Sequence, residues 1–182
     1  MNPYGDTFET YWAAGWRGVL PLPYKAKKNP PAGFTGSTGI DPSYPDCATW
    51  AMDGDRNICL RMPAHVIGID VDAYGDKAGA LTLAAKEEQW GPLPATWRST
   101  SRDDGVSGIR LYRVPEGLKW PGEVGAGIET VRRDHRYVVC WPSIHPDTGS
   151  TYRWIDPDGL VAAHGIPDPD TLPWLPDAWA TC

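Results

Sequence analysis

The stretch His65-Val-Ile-Gly-Ile-Asp-Val-Asp72 restricts the architecture more than any other part of this chain. At a period of two, Ile67, Ile69 and Val71 share one face while Gly68, Asp70 and Asp72 share the other. A strand this apolar belongs inside a sheet with at least one face on a core. The second face then carries two carboxylates roughly 6.5–7 Å apart at Cα. Like charges held that close repel and tend to retain a proton. Two readings fit. A divalent cation relieves the conflict, and hard oxygen ligands suit Mg2+ or Mn2+; alternatively the strand simply ends in a polar turn. Gly68, beside the pair, would leave room for a ligand.

Around this strand the chain is cut into short pieces by 20 glycines and 19 prolines among 182 residues. An amphipathic helix is expected from Thr7 to Trp16, with Asp6 or Thr7 as N-cap and Phe8, Tyr11 and Trp12 at helical spacing. An apolar run, Gly18–Leu22, follows, then a loop over Pro23–Asp46 that reads as too polar to pack. Asp46–Trp50 suggests a brief helix and Asn57–Leu60 a strand. The clearest helix covers Lys77–Trp90, with Ala78, Leu81, Ala84, Ala85 and Glu88 on one face. Beyond it, Thr96–Ser99, Ser107–Val114, Gly127–Arg132, Tyr137–Trp141 and Thr151–Ile155 read as strands. This order predicts an α+β domain with an antiparallel or mixed sheet. No GxGxxG or GxxxxGK supports a regular βαβ array.

Composition excludes several classes. Charged residues at 22% and hydrophobic ones at 41% are globular values. No apolar run approaches the ~18–20 residues of a membrane span, and the N-terminal residues lack a secretion signal, so no membrane partner and a cytoplasmic location are expected. Cys47, Cys59, Cys140 and Cys182 form no metal-binding pairs and read as buried fillers. The net charge of −6 is unevenly spread: four cations and no acid lie between Gly15 and Ile40. Residues 98–136 hold eight cations against six acids. A strong grip on duplex phosphates is not expected, whereas local anion pockets are compatible with this pattern.

Three further groups of residues bear on chemistry. Glu129, in Gly127-Ile-Glu-Thr-Val-Arg132, is a candidate third acid or a surface strand residue, with no cation at i±2 placed to pair with it. The stretch Trp97–Tyr112 combines Ser99, Thr100, Ser101, Ser107, Gly105, Gly108, Arg102 and Arg110, which suits either a triphosphate-binding loop or a solvated hairpin. Ten tryptophans exceed the needs of a core this size, and one or two could stack on bases. His145 sits in a loop after a strand, where a functional histidine is plausible; His65, His135 and His164 read as structural or exposed.

Taken in order, Gly15-Trp16-Arg17-Gly18, Lys28-Asn-Pro30, Ile69-Asp-Val-Asp72, Ser107-Gly-Ile-Arg-Leu-Tyr112, Gly127-Ile-Glu129, Val138-Val-Cys-Trp-Pro-Ser143 and Tyr152-Arg-Trp154 resemble the bifunctional primase-polymerase domain of phage and plasmid replication proteins. This domain is a branch of the archaeo-eukaryotic primase superfamily, and the resemblance covers roughly residues 8–156. It implies a modified RNA-recognition-like sheet beside a small α/β unit, forming a cleft. It also implies a catalytic domain over residues 1–156, with the acidic, Pro-rich residues 157–182 as a linker toward a helicase domain or helicase partner.

By position, Asp70 and Asp72 match the family's metal-binding pair, and Glu129 falls where its third acid sits. The resemblance thus implies two Mg2+ or Mn2+ ions serving nucleotidyl transfer from nucleoside triphosphates along a single-stranded DNA template and primer. Arg102, Ser107, Gly108, Arg110, His145 and Trp154 would meet the nucleotide; Lys28, Arg132, Arg133 and Arg136 would meet template or primer. Arg110 stands where the family carries a phosphate-contacting His. Arginine can still bind phosphate but cannot donate a proton at neutral pH. A metal-dependent nuclease or nucleotide hydrolase, and a catalytically silent nucleic-acid-binding module, are the competing readings.

Overall fold

The computed structural model describes residues 1–180; Cys182 lies outside them. Helix α1 (Pro3–Ala13) starts before the expected Thr7 because Asn2 is the cap: its side-chain oxygen accepts from the Gly5 N–H at 3.0 Å, and Pro3 opens the first turn without wasting a donor. Strand β1 (Gly18–Pro23) leads to α2 (Tyr44–Ala51), which is capped reciprocally by Ser43 and Asp46. Then come β2 (Arg56–Arg61), β3 (Val66–Val71) and α3 (Gly79–Trp90). The remainder is β4 (Arg98–Thr100), β5 (Gly108–Arg113), β6 (Glu123–Gly125), β7 (Ile128–Val131), β8 (Val138–Val139), β9 (Arg153–Ile155), β10 (Val161–Ala162) and the short α4 (Asp177–Ala180). Sequence patterning missed β6 and β10, which are too short to show a period.

The strands form two antiparallel sheets, one of seven strands in the order β10-β9-β4-β5-β3-β7-β6 and one of three in the order β1-β2-β8. The architecture is therefore α+β, as expected, with antiparallel pairing throughout the named strands. Both faces of the large sheet are covered. Ile67, Ile69 and Val71 pack with Tyr112, Val114, Ile128, Leu175 and Trp179 on the side of α3. Val66, Leu111 and Val131 face the other way, against Tyr4, Tyr11, Ile58 and Leu60 of the small sheet and its helices. The face bearing Asp70 thus looks into the junction between the two sheets.

Three expectations are corrected by packing. Helix α3 is turned away from its predicted face: Leu81 is 79% exposed, while Leu83 and Trp90 touch the core. The alanines that suggested the stripe bury little area, so the larger side chains set the rotation. The loop over Pro23–Asp46 does pack in part, because Phe34 meets the edge of Trp50 at 5.0 Å and Asp41 binds both Arg61 and Arg133. The Pro-rich segment after Asp156 lies on the core: Leu172, Leu175 and Trp179 are buried, Trp174 is exposed, and the Arg113 N–H donates to Pro173. No helix among the described residues is long and apolar enough to cross a membrane.

Candidate active site

Strand β3 lies between β5 and β7, which fixes what surrounds its carboxylates. Asp70 is opposed by Ile109 on β5 and Glu129 on β7. Residues paired directly across antiparallel strands share a face, so Asp70 and Glu129 are neighbours although 59 positions separate them in the chain. Asp72 is anchored through its backbone: its N–H donates to Gly127 at 2.8 Å, and its carbonyl accepts from the Gly79 N–H at 3.0 Å. A Cβ on Gly79 would stand 2.2 Å from the Asp72 carbonyl oxygen. Glycine is required there for α3 to approach the strand end.

Asp70 and Asp72 line a cleft of about 360 Å3 between the sheets. Burial, then Asp72, then Glu129 push the Asp70 carboxyl up to about 7, and only Arg136 and Lys27 oppose the shift. Glu129 is ion-paired with Arg136 at 2.5 Å. This partner lies beyond the i±2 positions of the strand, because a tight turn, in which Arg132 and His135 bridge, brings Arg136 back to Glu129. Among the described residues, no three His, Cys, Asp or Glu side chains form a group able to hold a metal ion.

Facing the aspartates are the cations Lys27, Lys28, Arg102 and Arg136. The Arg102 guanidinium lies 3.9 Å above the ring of Tyr74, an arrangement that holds a charged fork over the cleft. Ser107 and Gly108 lie on its floor, with the Ser107 hydroxyl bonded to Asp104 and accepting from the Ala73 N–H. This bond ties the loop after Asp72 to the start of β5. His145 is 3% exposed, stacks on Tyr152 and reaches the same cleft. Its Nδ1 accepts from the backbone N–H groups of Asp147 and Thr148, so the neutral ring carries its proton on Nε2. Burial, helped by Lys27 and Arg102, lowers its pKa and favours that neutral form.

The structure does not bring every candidate to this place. Arg110 pairs with Ile69 and Arg98, one residue out of phase with Asp70, and so points to the α3 side of the sheet. Ile109 occupies the cleft instead. Trp154 is fully buried, its indole N–H donating to the Tyr11 hydroxyl at 2.8 Å, and offers no face for stacking on a base. Arg132 is bound to Asp134 and to the carbonyls of Trp120 and Pro121, and Arg133 is bound to Asp41; both line a second cavity around Val66 and Trp120. Gly68 leaves no ligand space, since an added Cβ would sit 2.7 Å from Ile109. Conversely, Lys27, Tyr74, Tyr137 and Tyr152 line the cleft unanticipated. Only the isolated cation cluster around Lys28 hinted at Lys27.

A half-buried acidic pair on an interior strand of an antiparallel sheet thus shares one cleft with two lysines and two arginines. The family model for the bifunctional DNA primase/polymerase N-terminal domain matches residues 9–176, and the chain belongs to that family. No curated protein and no solved structure gives a match.

Proposed function

We propose that this chain is a template-directed nucleotidyltransferase, a DNA primase/polymerase of phage or plasmid replication that works in the host cytoplasm. The observation that carries this reading is the placement of Asp70 and Asp72 together in one cleft opposite Lys27, Lys28, Arg102 and Arg136. In this reading the large sheet and the small α/β unit are the two halves of a primase-like core. The catalytic domain takes in the segment after Asp156, whose Leu172, Leu175 and Trp179 lie on the core, and it works with a helicase domain or partner.

The donor set suits Mg2+ or Mn2+. Magnesium is commonly held by one or two carboxylates, with substrate phosphates and water completing the shell. Two aspartates meet that need without a third protein ligand, and the raised Asp70 pKa marks a charge conflict that a cation resolves. Asp70 and Asp72 would hold the ions, with Glu129 joining when Arg136 turns to the substrate. The bound ions would activate the primer hydroxyl and stabilise the leaving group. Arg102 and Lys28 neutralise phosphate charge, while Arg102 on Tyr74 limits the positions the nucleotide can take.

The test is primer extension and de novo synthesis on single-stranded DNA with Mg2+ or Mn2+, comparing wild type with Asp70→Ala/Asp72→Ala. Metal-dependent product lost in the double variant is the expected result. A folded wild type that makes no product but binds single strands favours a silent module. Release of mononucleotides without a template favours a hydrolase.

A further inference from the structure

The wall of the cleft opposite the aspartates is built from two loops that are far apart in sequence, and one buried side chain joins them. Asn57, at 0% exposure, donates through Nδ2 to the carbonyl of Ala26 at 2.9 Å and to that of Ile144 at 2.8 Å. Its Oδ1 accepts from the Ile144 N–H at 3.0 Å. The next residue on either side of this bracket faces the cleft: Lys27 follows Ala26, and His145 follows Ile144. Two further side chains support the bracket. The Tyr137 hydroxyl donates to the Lys27 carbonyl, and the Ser143 hydroxyl is bonded to the backbone of Ile58.

The lysine loop is also held in an uncommon conformation. Lys25 and Asn29 both have positive φ, 54° and 66°. Asparagine tolerates this region, but lysine rarely adopts it, so the surroundings must enforce it. The result is a lysine and a neutral Nε2–H donor on two tied loops that line the same cleft as Asp70. Arg110, the residue that motif order assigns to phosphate, points to the other face of the sheet and leaves room for contacts beyond those of Arg102 and Lys28.

We infer that Lys27 and His145 form the subsite for the terminal phosphates of the nucleoside triphosphate, and that Asn57 is the positioning residue that sets their separation. This rests on the nucleotidyl-transfer reading for the identity of the nucleotide, but not for the polyphosphate chemistry. Lys27, His145, Asp70 and Asp72 all line one cleft, so a phosphate tail held by the first two would keep the α-phosphate within the same cleft as the carboxylates. Asn57 touches no ligand; it acts through the two loops.

The experiment uses inorganic tripolyphosphate, titrated calorimetrically into the full chain without divalent ions. Wild type is expected to bind, and Lys27→Ala and His145→Ala each to weaken binding by about tenfold or more, the loss typical of one hydrogen bond to a charged group. Asn57→Ser, checked for folding by circular dichroism, is expected to weaken it similarly. The same variant should raise the triphosphate KM while leaving kcat at saturation within about threefold, a split that general loss of folded protein would not produce. Tripolyphosphate affinity within twofold of wild type in Lys27→Ala and His145→Ala overturns the subsite, and the same result in folded Asn57→Ser overturns the positioning role. Should Asn57→Ser not fold, the other two variants still decide the subsite. Polyphosphate binding that depends on these residues, without templated synthesis, would sink the proposed function and keep this inference; templated synthesis with polyphosphate binding indifferent to them would do the reverse.

Discussion

Asp70→Asn should make the protein more stable at pH 8 and leave stability nearly unchanged at pH 4. The carboxyl titrates near 7 in the folded chain against 3.8 for its ordinary value. For an acid, a raised folded pKa means that the unfolded chain releases its proton first. Between about pH 4 and 7 the unfolded state therefore binds fewer protons, and stability falls as pH rises through that window. At 1.36 kcal/mol per pKa unit the whole interval amounts to about 4 kcal/mol. Asp70 keeps an edge on the water-filled cleft, so screening leaves about 2 kcal/mol as the working figure. An amide of the same shape carries none of this cost. Urea unfolding without divalent ions, at pH 4, 6 and 8, should show the variant drawing ahead of wild type by roughly 2 kcal/mol at the highest pH. In a chain of this size that equals about 4–8 °C in Tm. A stability difference that stays constant with pH, or favours wild type at pH 8, would refute the argument that repulsion and burial strain this carboxylate. The same variant should lose nucleotidyl transfer, separating stability from activity at one atom.

Two other substitutions test the framework around the cleft. Gly79→Ala offers about 1 kcal/mol of helix propensity, but its Cβ would meet the backbone oxygens of Asp72 at 2.2 Å and Gly127 at 2.8 Å. The overlap should win, with a net loss of about 1–3 kcal/mol in thermal melts; an unchanged or raised Tm would show that α3 does not sit on the end of β3. Trp154→Phe should cost about 2–3 kcal/mol from lost volume and the lost indole N–H bond to the Tyr11 hydroxyl, which keeps its own bond to the Trp141 carbonyl, while sparing the triphosphate KM. A raised KM at unchanged stability would restore Trp154 as a nucleotide contact.

What the sequence made legible follows from where periodicity carries information. In β3, large apolar residues alternate with glycine and aspartate, so the face assignment survives folding intact: Ile67, Ile69 and Val71 lie in one core cluster and Asp70 and Asp72 in the cleft. In α3 the candidate stripe rested on alanines, and the heavier Leu83 and Trp90 reversed it. Motif order assigns Arg110 to the nucleotide's phosphates, but the hydrogen-bond register between β3 and β5 turns it to the other face, and a register cannot be read from one strand alone. Lys27, beyond its place in a cation cluster, and Asn57 gave no signal for the same kind of reason. Their significance lies in bonds to Ala26 and Ile144, whose positions along the chain bear no relation to one another.

The cleft takes its lining from Lys27 at one end of the chain and Tyr152 near the other. During synthesis the aspartate strand leaves the ribosome long before β7, Arg136 or the His145 loop. A nascent chain stopped after β5 would hold its two carboxylates without Arg136, one of the two cations that oppose the rise in the Asp70 pKa. Because Arg136, Tyr137, Val139, His145 and Tyr152 come last, the cleft acquires its full lining only once most of the chain has been made. This order also makes the stretch between β3 and β7 the interval in which this protein depends most on being left undisturbed.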